Sequence, residues 1–270
     1  MQAGSSIDAW LRAAPLDRLE ARILLTHALG LTRMQLITQS ERTLSANEAD
    51  RLATLVQRRI DGEPIAYIVG NREFYGLSFD VTPDVLIPRP ETELLVELAL
   101  QYLPPNGRLL DMGTGSGAIA VAIAVNRPDA QVTALDCSAA ALAIAQRNAE
   151  KHHAAVEFLQ SDWFGALGQR QFDLIVSNPP YIVAGDRHLS QGDLRFEPVD
   201  ALTDHGDGLS ALRQIVGGAG DHLSIGGWLF MEHGYDQAAA VRELAATHGF
   251  VNVQSWKDLA GIERVSGGRR

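Results

Sequence analysis

The chain is predicted to be an α/β protein: a parallel sheet layered with helices, preceded by a small helical domain and joined to it by a β-hairpin. Three observations predict this. From Arg108 onward, short apolar runs alternate with helix-like segments, as repeated β-α units do. The glycine-rich stretch Gly113-Thr114-Gly115-Ser116-Gly117 falls between one such run and one such helix. Before about residue 80, in contrast, apolar residues recur mainly at helical spacing.

The bulk properties fit such a fold. At 270 residues the chain can hold one large domain or a small and a medium one, and 46% hydrophobic with 21% charged residues is ordinary for a soluble globular protein. The net charge of −10 disfavours broad electrostatic capture of nucleic acid or anionic membrane. Cys137 is the only cysteine, so no intramolecular disulfide can form and a reducing cytoplasm is the natural compartment. The opening Met1 to Trp10 is polar, and the apolar run Ala118 to Val125 is too short to span a bilayer. The eight histidines are scattered, His152-His153 reads as a solvated helix end, and no metal-ligand spacing is present.

Residues 1–80 are expected to form the helical domain and 81–270 the larger one. Helical stripes run through Ile7-Trp10-Leu11, Leu16-Leu19-Ile23 and Leu52-Leu55-Val56-Ile60, and Ser45 with Glu48 has capping-box spacing. This segment carries 9 Lys+Arg and 10 Asp+Glu, so its net charge is −1 and the remainder holds −9. The near-neutral part is the better docking surface for a large partner, although it could equally be a cap with a purely structural role. From Glu63 to Arg89, Ile65, Tyr67, Ile68 and Val69 followed by Phe74 to Val81, punctuated by Gly70, Gly76 and Pro83, predict a β-hairpin connector. Pro88 and Pro90 then stiffen the entry to a helix through Leu94, Leu95, Leu98 and Leu100.

The alternating part begins with a strand, Leu109-Leu110-Asp111-Met112. The glycine loop follows, then a helix over Ala118 to Asn126. Glycines let the backbone turn sharply and let a ligand approach the helix N-terminus. Asp136 ends a second strand, Gln131 to Leu135, about 20 residues after the loop, where a carboxylate can hold ribose hydroxyls. A third strand, Val156 to Leu159, leads to Ser161-Asp162-Trp163, placed to contact an adenine ring by hydrogen bond and by packing. The fourth, through Leu174 to Val176, runs into Asn178-Pro179-Pro180-Tyr181. All these ends fall on one rim, where open α/β sheets bind ligands.

The Asn178-Pro179-Pro180-Tyr181 corner carries the chemical signal. Neither proline has a backbone N–H, so the corner is rich in acceptors, and Asn178 adds a side-chain carbonyl. Such a surface suits a planar –NH2 group. The nitrogen of an amide or aromatic amine is a poor nucleophile because its lone pair is delocalised. Two acceptors, Asn178 Oδ1 and the Pro179 carbonyl, could hold both hydrogens and aim that lone pair at an electrophile, with Tyr181 packed flat on the substrate plane. The same four residues would also suit an ordinary turn.

Taken with Asp111 to Gly117, Asp136 and Asp162-Trp163, this corner resembles the class I (Rossmann-like) S-adenosylmethionine-dependent methyltransferases acting on nitrogen. Further segments, Phe74-Tyr75-Gly76, Pro88 to Glu93, Arg195-Phe196-Glu197-Pro198, Gly206-Asp207-Gly208-Leu209 and Glu232-His233-Gly234, resemble the bacterial release factor glutamine methyltransferases, the PrmC/HemK family. The resemblance spans nearly the whole chain. It implies S-adenosyl-L-methionine as cofactor and the Gly-Gly-Gln glutamine of class 1 peptide chain release factors as substrate. It further implies cofactor contacts from Gly113, Thr114, Gly115, Ser116, Gly117, Asp136, Asp162, Trp163 and Asn178. Asn178, Pro179, Pro180 and Tyr181 would hold the glutamine, with Asn178, Pro179 and Tyr181 catalytic. The sheet would continue through Gly227 to Glu232 and end in an antiparallel pair, Phe250 to Trp256 with Arg264 to Gly268.

Three other classes compete. A DNA amino-methyltransferase would share the corner but would be expected to carry a basic groove and a target-recognition segment. A nicotinamide-dependent oxidoreductase shares only the glycine loop. A non-catalytic module that binds a translation factor is open to any domain of this fold.

Overall fold

Local rules set the first elements. The structure, a computed structural model, describes residues 4–270; residues 1–3 of the expected helical domain lie outside the described residues. The chain divides into two compact units, one ending at Asn71 and one spanning Arg72–Arg270.

Among the described residues the first unit holds five helices: α1 (Ile7–Ala13), α2 (Arg18–Leu29), α3 (Arg33–Thr38), α4 (Ala46–Ile60) and α5 (Ile65–Val69). Ser45 and Glu48 form the expected capping box, and Thr32 with Gln35 forms a second one that opens the short α3. The stripe expected on α2 is displaced. Leu19 is exposed, and Ala21, Leu24, Leu25 and Ala28 face the core with Ile7, Trp10 and Leu52. A second correction concerns Ile65 to Val69, expected as part of the hairpin and found as helix α5. The Pro64 carbonyl accepts from Tyr67 and Ile68 N–H, Gly70 closes the turn at φ 76°, and Ile68 is buried in the helical core. Packing overrides the strand preference of a β-branched run.

The hairpin consists of β1 (Asn71–Phe74), which belongs to the second unit from Arg72 on, and β2 (Leu77–Asp80). Tyr75 and Gly76 both take positive φ, 51° and 74°, as a tight hairpin turn requires. Phe74 and Phe79 are buried in this unit's core, so the division at Asn71 falls earlier than the boundary at residue 80 expected from the sequence.

Seven strands follow in the order β5-β4-β3-β6-β7-β9-β8. They are β3 (Arg108–Met112), β4 (Gln131–Asp136), β5 (Val156–Gln160), β6 (Phe172–Ser177), β7 (Leu223–Glu232), β8 (Val251–Lys257) and β9 (Glu263–Arg269). The first five are parallel, and β9 lies antiparallel between β7 and β8. α6 (Glu93–Tyr102) precedes β3, and between the strands run α7 (Ala118–Asn126), α8 (Ala139–Lys151), α9 (Val199–Leu202), α10 (Ser210–His222) and α11 (Ala238–Thr247). Every residue from Ala118 to Ala124 of α7 is buried, which is why that segment reads as uniformly apolar rather than amphipathic. His152 is less solvated than expected: its Nε2 lies 2.8 Å from the Ser78 carbonyl and its ring rests against Phe79. No helix among the described residues is long and apolar enough to cross a membrane.

The strand order reverses at β3. From β3 the chain steps outward to β4 and β5, then returns to place β6 on the other side. Open α/β sheets bind ligands in the crevice at such a switch point, beyond the carboxyl ends of the strands. Met112 of β3 pairs with Ser177 of β6, so Gly113 and Asn178 are the residues that emerge side by side.

Candidate active site

The glycine loop is anchored at both ends. Gly113 and Thr114 each donate a backbone N–H to the Leu135 carbonyl at 2.9 Å, and Gly117 donates to Thr114 at 2.8 Å. Beneath it the Asp111 Oδ2 accepts from the Thr114 hydroxyl at 2.6 Å and from Ala120 N–H at 3.2 Å. Asp111 is fully buried, and burial pushes its carboxyl up to about 7 against those two bonds. Thr114 therefore fixes the loop with its side chain as well as with its backbone N–H and carbonyl. Gly117, at φ 81°, passes so near α8 that a Cβ would lie 3.0 Å from the Ala145 methyl.

Asn148, buried on α8, was not singled out by the sequence. Its Nδ2 donates to the carbonyls of Ser116 and Asp80, at 2.9 and 3.0 Å, and its Oδ1 accepts from Asp80 N–H at 2.7 Å. One side chain thus ties the hairpin to the glycine loop. The available signal was an asparagine among Ala141, Ile144, Ala145 and Ala149 on a buried face.

Asp136 stands at the end of β4. Its Oδ2 accepts from Gly115 N–H and its Oδ1 from Ser138 N–H, each at 2.9 Å. A carboxylate has about four acceptor positions, so capacity for two hydroxyls remains. Ser161 N–H donates to the Asp136 carbonyl at 3.0 Å, which places Ser161-Asp162-Trp163 on the same rim. Trp163 sits at φ 46° and packs on the core cluster that contains Met112 and Leu135, while Asp162 is exposed.

Next to the loop, Ser177 is fully buried and donates its hydroxyl to the Met112 carbonyl at 2.7 Å, locking β6 to β3. Asn178 then donates Nδ2–H to the Thr92 hydroxyl at 3.2 Å. No donor among the described residues is bonded to the Pro179 or Pro180 carbonyls. Tyr181 rests its ring against the core, and its hydroxyl donates to Glu232 Oε1 at 3.2 Å. Burial and the Glu232 charge push that phenol well above its usual range. Its carbonyl accepts from Gln237 Nε2 at 3.0 Å, and Gly208 approaches that carbonyl closely. The corner is therefore held from below and behind, with its acceptors left open.

Glu232 ends β7 and is buried; burial pushes its carboxyl up to about 7, opposed by the Thr92 and Tyr181 hydroxyls. The segment preceding α6 is fastened nearby. Glu197 Oε2 accepts from Ile87 N–H at 3.0 Å and its Oε1 pairs with the Arg89 guanidinium, so the Pro88 to Glu93 and Arg195 to Pro198 segments form one strap. His233 is spent on structure, with Nε2 2.8 Å from Ser266 Oγ on β9.

The comparisons with known proteins agree with this geometry. The methyltransferase small domain family matches residues 90–195, and the PrmC N-terminal domain family matches residues 5–70. A release factor glutamine methyltransferase of Burkholderia pseudomallei is 58% identical over 96% of this chain and 94% of its own length. One from Neisseria gonorrhoeae is 53% identical over 98% and 97%. Among solved structures, a methyltransferase from Pyrococcus furiosus aligns with a TM-score of 0.56 at 21% identity, over 80% of this chain and 98% of that one, a likeness of fold.

Proposed function

Because the chain belongs to the release factor glutamine methyltransferase family, we infer that the crevice between β3 and β6 is where a release factor glutamine is brought to a methyl donor. The protein is an S-adenosylmethionine-dependent protein-(glutamine) N-methyltransferase acting on a release factor. Its substrate atom is the side-chain amide nitrogen of the glutamine in the Gly-Gly-Gln motif of class 1 factors.

The residues present fit the cofactor. A Cβ built on Gly113 or Gly115 meets nothing within 4 Å, so open space lies over the loop, and the buried Asp111 Oδ1 has no hydrogen-bond partner. Gly113 to Gly117, Asp136 and the Asp162-Trp163 pair would hold it, Asp136 through its remaining acceptor positions. When bound, S-adenosylmethionine supplies an electrophilic methyl group on a sulfonium.

The chain's own part is orientation. Asn178 Oδ1 and the Pro179 carbonyl accept the two amide hydrogens, which localises the nitrogen lone pair and stabilises the positive charge growing on N–H. Pro180 shapes the entry, and Tyr181 secures the corner from below. No motif side chain is an evident general base. The observation that carries this reading is the Asn178 side chain, whose Nδ2 is engaged by Thr92 while Oδ1 stays available beside the glycine loop.

The near-neutral first unit docks the folded release factor, and the acidic second unit performs transfer. Nucleic acid and membrane have no part in this reading. The exposed, unpaired Cys137 suits the reducing cytoplasm where translation takes place.

The test is transfer from labelled S-adenosylmethionine to a purified class 1 release factor, with the labelled residue located by mass spectrometry. Label on the Gly-Gly-Gln glutamine is expected, and its loss by roughly a hundredfold or more in Asn178→Ala. Label on DNA, or on another residue alone, would overturn the substrate assignment.

A further inference from the structure

The corner that begins at Asn178 offers acceptors to a ligand, and acceptors suit the two hydrogens of a glutamine amide. A peptide entering the crevice also brings main-chain carbonyls, which need donors once water is excluded. Arg89 stands beside the corner. Its carbonyl accepts from Thr92 N–H at 3.1 Å, and Asn178 Nδ2 donates to the Thr92 hydroxyl at 3.2 Å, so only the short turn Pro90–Thr92 separates Arg89 from Asn178. Burial raises the Tyr181 phenol, and Arg89 is among the charges that oppose the rise.

The guanidinium is held from one side. One Nη2 hydrogen goes to Glu197 Oε1, while Glu197 Oε2 accepts from Ile87 N–H at 3.0 Å. The Glu197 side chain has no exposed surface, whereas that of Arg89 is 30% exposed. A guanidinium carries five donors, and among the described residues the others on Arg89 have no partner. An arginine on a mobile stem would be a solvated charge. A planar fork already seated on a buried carboxylate loses little further freedom when it binds.

The reaction decides which carbonyl it takes. A donor on the glutamine side-chain oxygen would draw the nitrogen lone pair into the carbonyl and deepen the delocalisation that transfer must undo. The donors therefore belong on the main chain. The two glycines before the glutamine have no side chains, so a guanidinium can come directly onto their carbonyls.

We propose that Arg89 is a substrate-binding residue: seated on Glu197, it donates to a main-chain carbonyl of the two glycines while the Asn178 corner holds the glutamine amide. The proposal rests on the reading of that corner as the glutamine site. It gives the buried ion pair a task beyond joining two segments, and it makes the glycines ahead of the glutamine part of what is recognised.

Steady-state transfer to a short Gly-Gly-Gln peptide tests it. Arg89→Lys keeps a charge beside Glu197 but replaces the fork with one ammonium. It should raise KM for the peptide by about tenfold, with kcat and cofactor affinity each within about threefold, because a main-chain contact is made in ground and transition states alike. Arg89→Met combined with Glu197→Gln removes both charges and should give a similar rise; it carries the test if Arg89→Lys does not fold. Two further peptides carry a trans alkene in place of the Gly–Gly or the Gly–Gln amide, and each lacks one carbonyl. In the wild type one of them should show a KM about tenfold above the parent peptide, and in Arg89→Lys that penalty should shrink to about twofold or less. A merely structural role for Arg89 would leave the penalty unchanged. A wild-type KM in either variant, no alkene penalty in the wild type, or one equally large in Arg89→Lys would overturn the role of Arg89 and leave the Asn178 reading intact. A wild-type rate in Asn178→Ala would overturn that reading, and this inference with it.

Discussion

The backbone of Gly208 passes so close to the Tyr181 carbonyl that a Cβ on it would sit 2.5 Å from that oxygen and 2.8 Å from Gln237 Nε2. Its φ of +77° independently favours glycine. Gly208→Ala must therefore move the Asn178 to Tyr181 corner or strain its own backbone. Chemical denaturation should show a loss of about 2 kcal/mol or more, and methyl transfer should fall with it. A variant as stable and as fast as wild type would mean that the corner yields freely.

Asn148→Ala should loosen the glycine loop from a distance. Three hydrogen bonds disappear, and buried groups of Ser116 and Asp80 lose their partner. A destabilisation of about 2 to 4 kcal/mol is expected, with S-adenosylmethionine binding weakened by several-fold in titration calorimetry. Unchanged affinity in a destabilised variant would confine Asn148 to a structural role.

Asp136→Ala should weaken S-adenosylmethionine binding by roughly tenfold or more, because the carboxylate orders Gly115 as well as offering acceptors of its own. Calorimetry on the folded variant decides this. An unaltered dissociation constant would remove Asp136 from the cofactor site.

Met34 and Ile37 on α3 are 74% and 76% exposed, an apolar presentation suited to contact with a folded protein. Replacing both with serine should raise KM for an intact release factor several-fold and leave a short Gly-Gly-Gln peptide unaffected. Equal effects on the two substrates would exclude this face from docking.

Glu232 makes stability depend on pH. Its folded pKa of about 7 exceeds the ordinary 4.5; Arg264, Tyr181 and Thr92 favour its charge, Glu91 disfavours it, and burial outweighs them. Between those values the unfolded chain has released a proton that the folded one keeps, so stability falls as pH rises from about 4.5 to about 7. Asp111 adds a fall of the same sign, from 3.8 to about 7. Urea midpoints measured from pH 5 to 8 should decline less steeply in Glu232→Gln, with the Asp111 share remaining. Identical slopes would show that Glu232 is ionised throughout.

The parallel strands were legible because burial on both faces leaves nearly unbroken apolar runs, as at Leu109-Leu110 and Leu174-Ile175-Val176. The glycine loop and the Asn178 corner were legible because each requires special backbone chemistry. Helix α5 was not, since Ile65 to Val69 carries strand-forming residues and only packing reveals the helix. The supporting residues of the site were hidden for another reason. Thr92 looks like an ordinary cap, Asn148 like a stray polar residue, and Glu232 like the end of a strand; each role depends on a partner far away in sequence, at Asn178, Asp80 and Tyr181.

Strand β9 lies between β7 and β8 although it follows both along the chain. During synthesis, then, β8 emerges with no edge to join, and Leu229, Phe230 and Met231 of β7 wait beside an unpaired row of backbone groups until Val265 to Gly268 arrive. The wall behind Glu232 is consequently one of the last parts of the sheet to close. An open, apolar strand edge is also a template for pairing with another nascent chain. Truncation or slow translation within Glu263–Arg269 would thus leave that edge of β7 open and give an aggregation-prone intermediate.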